Sequence, residues 1–359
     1  MTITVGILTL YVGRRRTIEE RPFLAACANE GVKLGIEVIV FTPEDVEHRS
    51  RRVRAHLYDV RRKRWLRAWR PLPSVIFDRC RYQSTPRFAQ MRAFRRRYPH
   101  LQYLNHPLAN KWLVHEVLAR HAHVARHLPD TGLLRGMSDA LRFGARHSTI
   151  YIKPVNGTGG RGILRLQCSP SASCRLEGRN AQRTIIASKT GSRSELLRHT
   201  LRLCRGGSYL LQQAIDNRLS NGQVFDFRLV VQKDGSGKWT LTGGAARVGG
   251  PRSITSNLHG GGRAVGWQTM LTQQFTAKRS ESIVDDMKTL AIRVAEALEQ
   301  RYGRLCELGL DIAVDRSGKP WLLEVNPKPA REIFRKTGQH ATYRTAIRKP
   351  LEFAIFLSR

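Results

Sequence analysis

Acidic residues are scarce in this chain: 28 Asp and Glu face 62 Lys and Arg among 359 residues, 49 of the cations being Arg, for a net charge of +34. Other features are missing altogether. No apolar run approaches the roughly 20 residues needed to cross a bilayer, which excludes a helical membrane span. The opening MTITVGILTLYVG has no basic segment before its apolar stretch and no small-residue cleavage site after it, so it reads as a buried strand and not as a signal peptide. Six cysteines are scattered without zinc-finger or redox spacing, which points to reduced, mostly buried thiols in a cytoplasmic protein. Neither a Gly-Lys-Ser/Thr P-loop nor a Rossmann GxGxxG occurs, and no Ser/His/Asp or Cys/His nucleophile arrangement is recognisable. Internal repeats and low-complexity linkers are absent as well.

With 41% hydrophobic residues the chain can bury a substantial core, and its length suggests about two domains. Charge is spread over both: residues 1–110 carry 22 basic and 9 acidic side chains, residues 111–359 carry 40 and 19. Local runs occur at Arg14–Arg16, at 49–70 (RSRRVRAHLYDVRRKRWLRAWR) and at Arg95–Arg97. Three readings stay open for this excess: an arginine-rich but ordinary surface, attraction to a polyanionic substrate, and nucleic-acid binding. Trp65 and Trp69 could stack nucleobases, although packing of the hairpin onto the sheet is the expected role.

The first hundred residues alternate strand and helix. Val5–Val12 and Val38–Phe41 are β-branched apolar runs, with a helical segment between them that ends on Gly35. Such a βαβ unit implies a parallel sheet. Residues 51–73 read as a basic hairpin, SVIF at 74–77 as a further strand, and Arg87–Arg97 as a helix followed by a short strand at 101–104. Residues 1–108 thus form a small α/β domain. Beyond it a helix starts after Asn110, and Ser138-Asp139 caps another. Strands are expected at TIYIKPV, GILRLQ, TIIAS, SYLLQQAI, around the turn at Asp234–Gly237, and at LGLDIAVD and WLLEVN. An amphipathic helix covers 282–301, and a closing helical segment starts near Arg331.

Two segments carry chemistry. Asp311 lies inside an apolar strand and Glu324-Val325-Asn326 inside another, the two joined by a turn at 316–320. Alternation along strands lets Asp311 and Glu324 converge if the strands pair. Buried acids need a partner, and Asp, Glu and Asn oxygens suit magnesium shared with phosphates. The second segment is Lys153-Pro-Val-Asn-Gly157-Thr158-Gly159-Gly160-Arg-Gly162, a lysine ending a strand and then a glycine loop. Glycines let backbone N–H groups approach phosphate oxygens, and a plain hairpin turn is the equal alternative for such a loop on its own.

Lys111, Lys153 with its loop, Asp311 and Glu324-x-Asn326, in this order and spacing, resemble the ATP-grasp superfamily over nearly the whole chain. More narrowly, PLPSVIFDR (71–79), NKWLVHEVL (110–118), HLPDT (127–131), DFRLVVQKDGSGKW (226–239) and LLEVNPKP (322–329) look like the endospore coat-associated YheC/YheD-type ATP-grasp proteins. The resemblance implies an α/β (α+β) fold, with an ATP-grasp domain at 109–359 after the small pre-grasp domain at 1–108. The lid would span about 132–210 and the metal-binding subdomain about 211–359. ATP and Mg2+ would be the cofactors. Lys111 and Lys153 would hold the phosphates, and Gly157, Thr158, Gly159, Gly160 and Gly162 would close over them. Gln212, Gln213 and Ile215 would form the adenine hinge, where many members place a glutamate. Asp311, Glu324 and Asn326 would hold the metal. Arg228 and Arg247 would steady the transferred phosphoryl group, with Asn257 and His259 near the acceptor; an ordinary ion pair between Asp226 and Arg228 is the simpler alternative for that arginine.

The activity implied is an ADP-forming carboxylate–amine ligase working through an acyl phosphate on an anionic small molecule or peptide. A kinase on the same scaffold, and a spore-coat or nucleic-acid-binding protein with a residual ATP site, are the alternatives. Nucleic acid ranks behind the anionic acceptor as partner, no membrane is expected, and a homodimer is among the assembly options. Location is expected to be cytoplasmic, with spore-coat association implied by the resemblance.

Overall fold

The computed structural model describes residues 2–13, 16–81, 85–157, 159–171, 173–251, 253–258 and 261–359. Strand Thr4–Leu8 sits at the centre of a seven-stranded sheet, parallel to Glu37–Phe41 on one side and Val75–Asp78 on the other. Its VGIL is fully buried because helix Arg21–Lys33 covers one face and Pro86–Arg97 the other. Gly35, at φ 69°, turns the chain out of the first helix into Glu37–Phe41, a conformation glycine adopts without a Cβ clash. The sheet is mixed and not purely parallel, since the hairpin Arg52–Asp59/Arg64–Pro71 adds antiparallel strands. The apolar run from Val5 to Val12 is also not one strand. It breaks after Leu8, and Tyr11–Val12 pairs with Thr17–Ile18 in a separate two-stranded ribbon.

A six-stranded antiparallel sheet follows, ordered 131–134, 209–213, 149–154, 164–168, 173–179, 185–192. Ile150, Ile152, Leu164, Leu166, Leu176 and Leu211 point to one face, which helices Met137–Arg146 and Arg193–Leu203 cover. The opposite face is polar. Two of these strands escape sequence patterning. Thr131–Leu134 is short, and in Ser173–Arg179 the inward positions are Cys174, Leu176 and Gly178, too weakly apolar to signal a strand. Helix Met137–Arg146 starts from Gly136 without a side-chain cap, so Ser138 and Asp139 lie in its first turn; Asp139 instead accepts a hydrogen bond from the Arg135 amide at 3.2 Å. Cys168 and Cys174 are register partners across this sheet and form a disulfide, which corrects the expectation of reduced thiols throughout; Cys27, Cys80, Cys204 and Cys306 are free and buried.

The third sheet has five antiparallel strands, ordered Arg263–Gly266, Trp239–Val248, Phe225–Lys233, Glu307–Val314, Pro320–Asn326. Helix Ala277–Tyr302 packs Ile283, Met287, Leu290, Val294 and Leu298 against one face. Period-two alternation then sends Asp226, Arg228 and Asp311 to the other face. A bulge is needed for Glu324 to join them. Asp311 pairs with Glu324 but Ile312 pairs with Leu322, leaving Leu323 as the extra residue. Without it, Leu322 and Glu324 would share a face; with it, Leu322 enters the core and Glu324 turns to the cleft. The last helix, His340–Leu357, returns to the first sheet and buries Ile347, Leu351 and Phe353 there.

Candidate functional site

Helix Lys111–Ala119 is capped by Asn110, whose side chain accepts from the Leu113 amide at 3.1 Å. The Lys111 amide donates to the Val155 carbonyl at 3.3 Å, so the helix start is tied to the end of strand Thr149–Pro154. That single contact brings Lys111 and Lys153 to one place. Lys153 Nζ lies 5.4 Å above the Tyr151 ring and donates to Gln212 Oε1 at 2.5 Å. Burial, then repulsion from Lys111, pushes the Lys153 ammonium down to about 8. Lys111 Nζ approaches Glu324 Oε1 at 3.5 Å. Lys111 alone reaches this carboxylate, and Lys153 beside it has no carboxylate partner among the described residues, a charge balance that a polyphosphate would complete.

Asp311 is buried and engaged by two guanidinium groups. Arg228 Nε donates to Oδ1 at 2.5 Å and its terminal nitrogen to Oδ2 at 3.1 Å, while Arg247 donates to Oδ2 at 3.0 Å. Burial opposes ionisation of Asp311, but Arg228 and Arg247 more than reverse it and hold the carboxyl at about 2. Arg247 also grips Asp226 at 2.7 and 2.6 Å. The expected alternative, Asp226 with Arg228, is therefore not the pair that forms: Arg228 takes Asp311, and Asp226 belongs to Arg247. Among the described residues, Asn326 Nδ2 is buried without a hydrogen-bond partner.

These residues fit ATP with magnesium. Asp311 and Glu324 face each other in register, Asn326 pairs with Gly309 two residues on, and Lys111 and Lys153 stand opposite. Among the described residues no cluster of three His, Cys, Asp or Glu could hold a metal; beside Asp311 and Glu324, the further oxygen donor on these two strands is the Asn326 amide.

Gly159, Gly160 and Gly162 adopt left-handed backbone at φ 69°, 76° and 66°. A Cβ on Gly160 would stand 2.4 Å from Asn257 Nδ2, which seats Asn257 directly against the glycine loop. On Gly159 it would meet the Arg183 guanidinium at 2.5 Å, a neighbour no sequence motif flagged. Gly157 has ordinary clearance, and Thr158 and His259 lie outside the described residues. Gln212 is buried between Lys153 and Thr131, donating to Thr131 Oγ1 at 3.3 Å, so it orients the lysine from inside the sheet. Gln213 Oε1 accepts from the Asp130 amide at 3.2 Å. The chain leaves the sheet after Ala214, and Ile215 lines a cleft of about 480 Å³ together with Thr149, Tyr151 and Gln213.

The segment after Asn326 is anchored to the first sheet. Asn105 Nδ2 donates to the Pro327 carbonyl at 3.3 Å, Arg79 to the Pro329 carbonyl at 3.3 Å, and Lys328 Nζ to Asp78 Oδ1 at 2.8 Å. Arg79 and Arg331 both bind the buried Glu307, at 2.6 Å for Arg79. The signal for this network was present in PLPSVIFDR and LLEVNPKP, but nothing in either segment says that they meet.

A glycine loop and lysine on one antiparallel sheet, acids on a second, and an α/β domain in front define an ATP-grasp protein. Residues 100–357 match the family described as YheC/D-like ATP-grasp, and the chain belongs to that family. The endospore coat-associated protein YheC of Bacillus subtilis is 27% identical over 339 residues, spanning 92% of this chain and 89% of the relative. Among solved structures, D-cycloserine synthetase DcsG superposes with a TM-score of 0.53 at 16% identity, covering 96% of this chain and 98% of that one. The D-alanine–D-alanine ligase of Coxiella burnetii gives 0.51 at 11% identity, with 99% and 97% covered. These likenesses establish the fold.

Proposed function

We propose that the protein is an ATP- and magnesium-dependent ligase that joins a carboxylate to an amine and releases ADP and phosphate. The observation that supports this most directly is the facing of Lys111 and Lys153 toward the paired Asp311–Glu324 acids, joined by the 3.5 Å contact between Lys111 and Glu324. When bound, magnesium-ATP supplies the phosphoryl group that makes a carboxylate reactive toward an amine. The chain's own residues do the positioning. Lys111 and Lys153 would neutralise phosphate charge, and Asp311, Glu324 and Asn326 would hold the metal. Gly159, Gly160 and Gly162 would bring backbone amides against phosphate oxygens and shut out water. Arg228 and Arg247 are already rigidly placed by Asp311 and Asp226, so they can meet developing negative charge without reorganising. No side-chain nucleophile is required, since positioning and charge neutralisation suffice for phosphoryl transfer.

The acceptor proposed is an anionic peptide or small molecule, attracted by the basic surface. In location we propose a cytoplasmic enzyme, or one associated with the spore coat as the name of the Bacillus relative suggests. The test is a screen of carboxylate and amine pairs for stimulated ADP release with phosphate analysed separately. Free phosphate supports the ligase; phosphate retained on the acceptor identifies a kinase instead.

A further inference from the structure

The hairpin Arg52–Asp59/Arg64–Pro71 forms an edge of the first sheet, with Arg64–Pro71 paired to one neighbour only. Edge strands are commonly blunted by one or two charges. This one carries far more. Of the ten cations in residues 49–70, Arg62, Arg67 and Arg70 pair with acids; the other seven, Arg52, Arg54, Arg61 and Arg64 among them, have no carboxylate partner among the described residues. All seven are exposed.

The sheet register sorts the side chains by face. Arg54 stands opposite Trp69, His56 opposite Arg67, and Tyr58 opposite Trp65. Tyr58 and Trp65 pack together at 5.2 Å and lean on the core, as a structural role demands. Trp69 does not: 45% of it is exposed, with the Arg52 guanidinium 5.7 Å from its ring. This leaves part of an indole face open to solvent beside two guanidinium groups that no carboxylate occupies among the described residues. Arg52 and Arg54 are two residues apart on the same face, about 7 Å along the strand. Arginine adds planar, forked donors suited to phosphate, and the indole offers a flat ring to an unpaired base.

We propose that this face of the hairpin binds single-stranded nucleic acid, with a base stacked on Trp69 and phosphates held by Arg52 and Arg54. Stacking separates this partner from the other polyanions that the charge alone would attract. A duplex keeps its bases stacked internally, and an acidic polypeptide gains nothing from the indole.

The experiment measures fluorescence anisotropy of a short labelled thymidine oligonucleotide with the full-length protein near 0.1 M salt. Saturable binding is expected, with log affinity falling against log salt by about 0.7 for each phosphate contacted. Trp69→Ala should weaken binding about tenfold, whereas Trp69→Phe retains most of it. Arg52→Glu with Arg54→Glu should weaken binding and flatten the salt slope by roughly one contact per arginine. None of these residues belongs to the lysine and acid cleft, so nucleotide binding by each variant confirms an intact fold. The proposal is overturned if Trp69→Ala binds the oligonucleotide as well as the wild type, if the matching duplex binds more tightly than the single strand, or if polyglutamate displaces it at equal charge.

Discussion

Lys328, two residues past Asn326, donates its ammonium to the buried carboxylate of Asp78 at 2.8 Å, joining the candidate metal segment to the end of a strand 250 positions earlier. Arg95 holds the same carboxylate from the other side, with Nε at 2.7 Å. Burial opposes the Asp78 charge, and Lys328 and Arg95 together lower its pKa from the ordinary value.

Removing one cation is therefore tolerable and removing the acid is not. Lys328→Met should fold, because Arg95 still neutralises Asp78, but the magnesium concentration at half-maximal rate should rise about tenfold as the segment loosens. Asp78→Ala leaves two half-buried cations facing each other and should cost about 3 kcal/mol. Urea unfolding and a magnesium titration read the two effects separately.

The two acids should also differ. Glu324 is partly exposed, so Glu324→Gln should leave stability within about 0.5 kcal/mol while lowering turnover roughly 100-fold or more. Asp311→Asn removes the counter-charge of Arg228 and part of that of Arg247, and should lose both turnover and about 3 kcal/mol of stability. Full activity in both variants would sink the metal assignment.

Gly160 and Gly157 make an internal control for the phosphate loop. Gly160→Ala puts a Cβ 2.4 Å from the Asn257 amide at a left-handed φ of 76°, and should raise the KM for ATP about tenfold. Gly157→Ala meets nothing closer than 3.5 Å and should behave as the wild type. Steady-state kinetics at saturating acceptor decides between them.

Lys153 predicts a pH dependence. Its folded-state pKa is about 8, below the 10.5 of a free lysine, because burial and Lys111 disfavour its charge. The unfolded chain therefore binds this proton more readily, so Lys153 lowers stability as pH falls from about 10.5 to 8, and no further below that. For nucleotide the sign is opposite: phosphate is held by the charged form, which is lost above about 8. ATP affinity, measured by calorimetry, should fall as pH rises through 8, and Lys153→Arg should remove that inflection because a guanidinium stays charged.

Much of the cleft was legible from residue order alone. A lysine at a strand end before four closely spaced glycines, and acids placed inside apolar strands, depart locally from ordinary patterning and call for a charged partner or a ligand, and such departures can be read without coordinates. Alternation and the turn between them brought the strands of Asp311 and Glu324 together, but only the bulge at Leu323 put the two acids on one face. What the tertiary structure decided are relationships between distant segments. Arg228 chose Asp311 over its sequence neighbour Asp226 because the sheet places a second strand beside it. The bulge at Leu323, the anchoring of Lys328 and Pro329 by Asp78 and Arg79, and the exposure of Trp69 beside the buried contacts of Trp65 depend on which strand is a neighbour and which is an edge. Side-chain period gives a residue its face, but pairing between remote strands determines what that face meets, and such pairing rests on the summed burial of whole sheets and not on any local run.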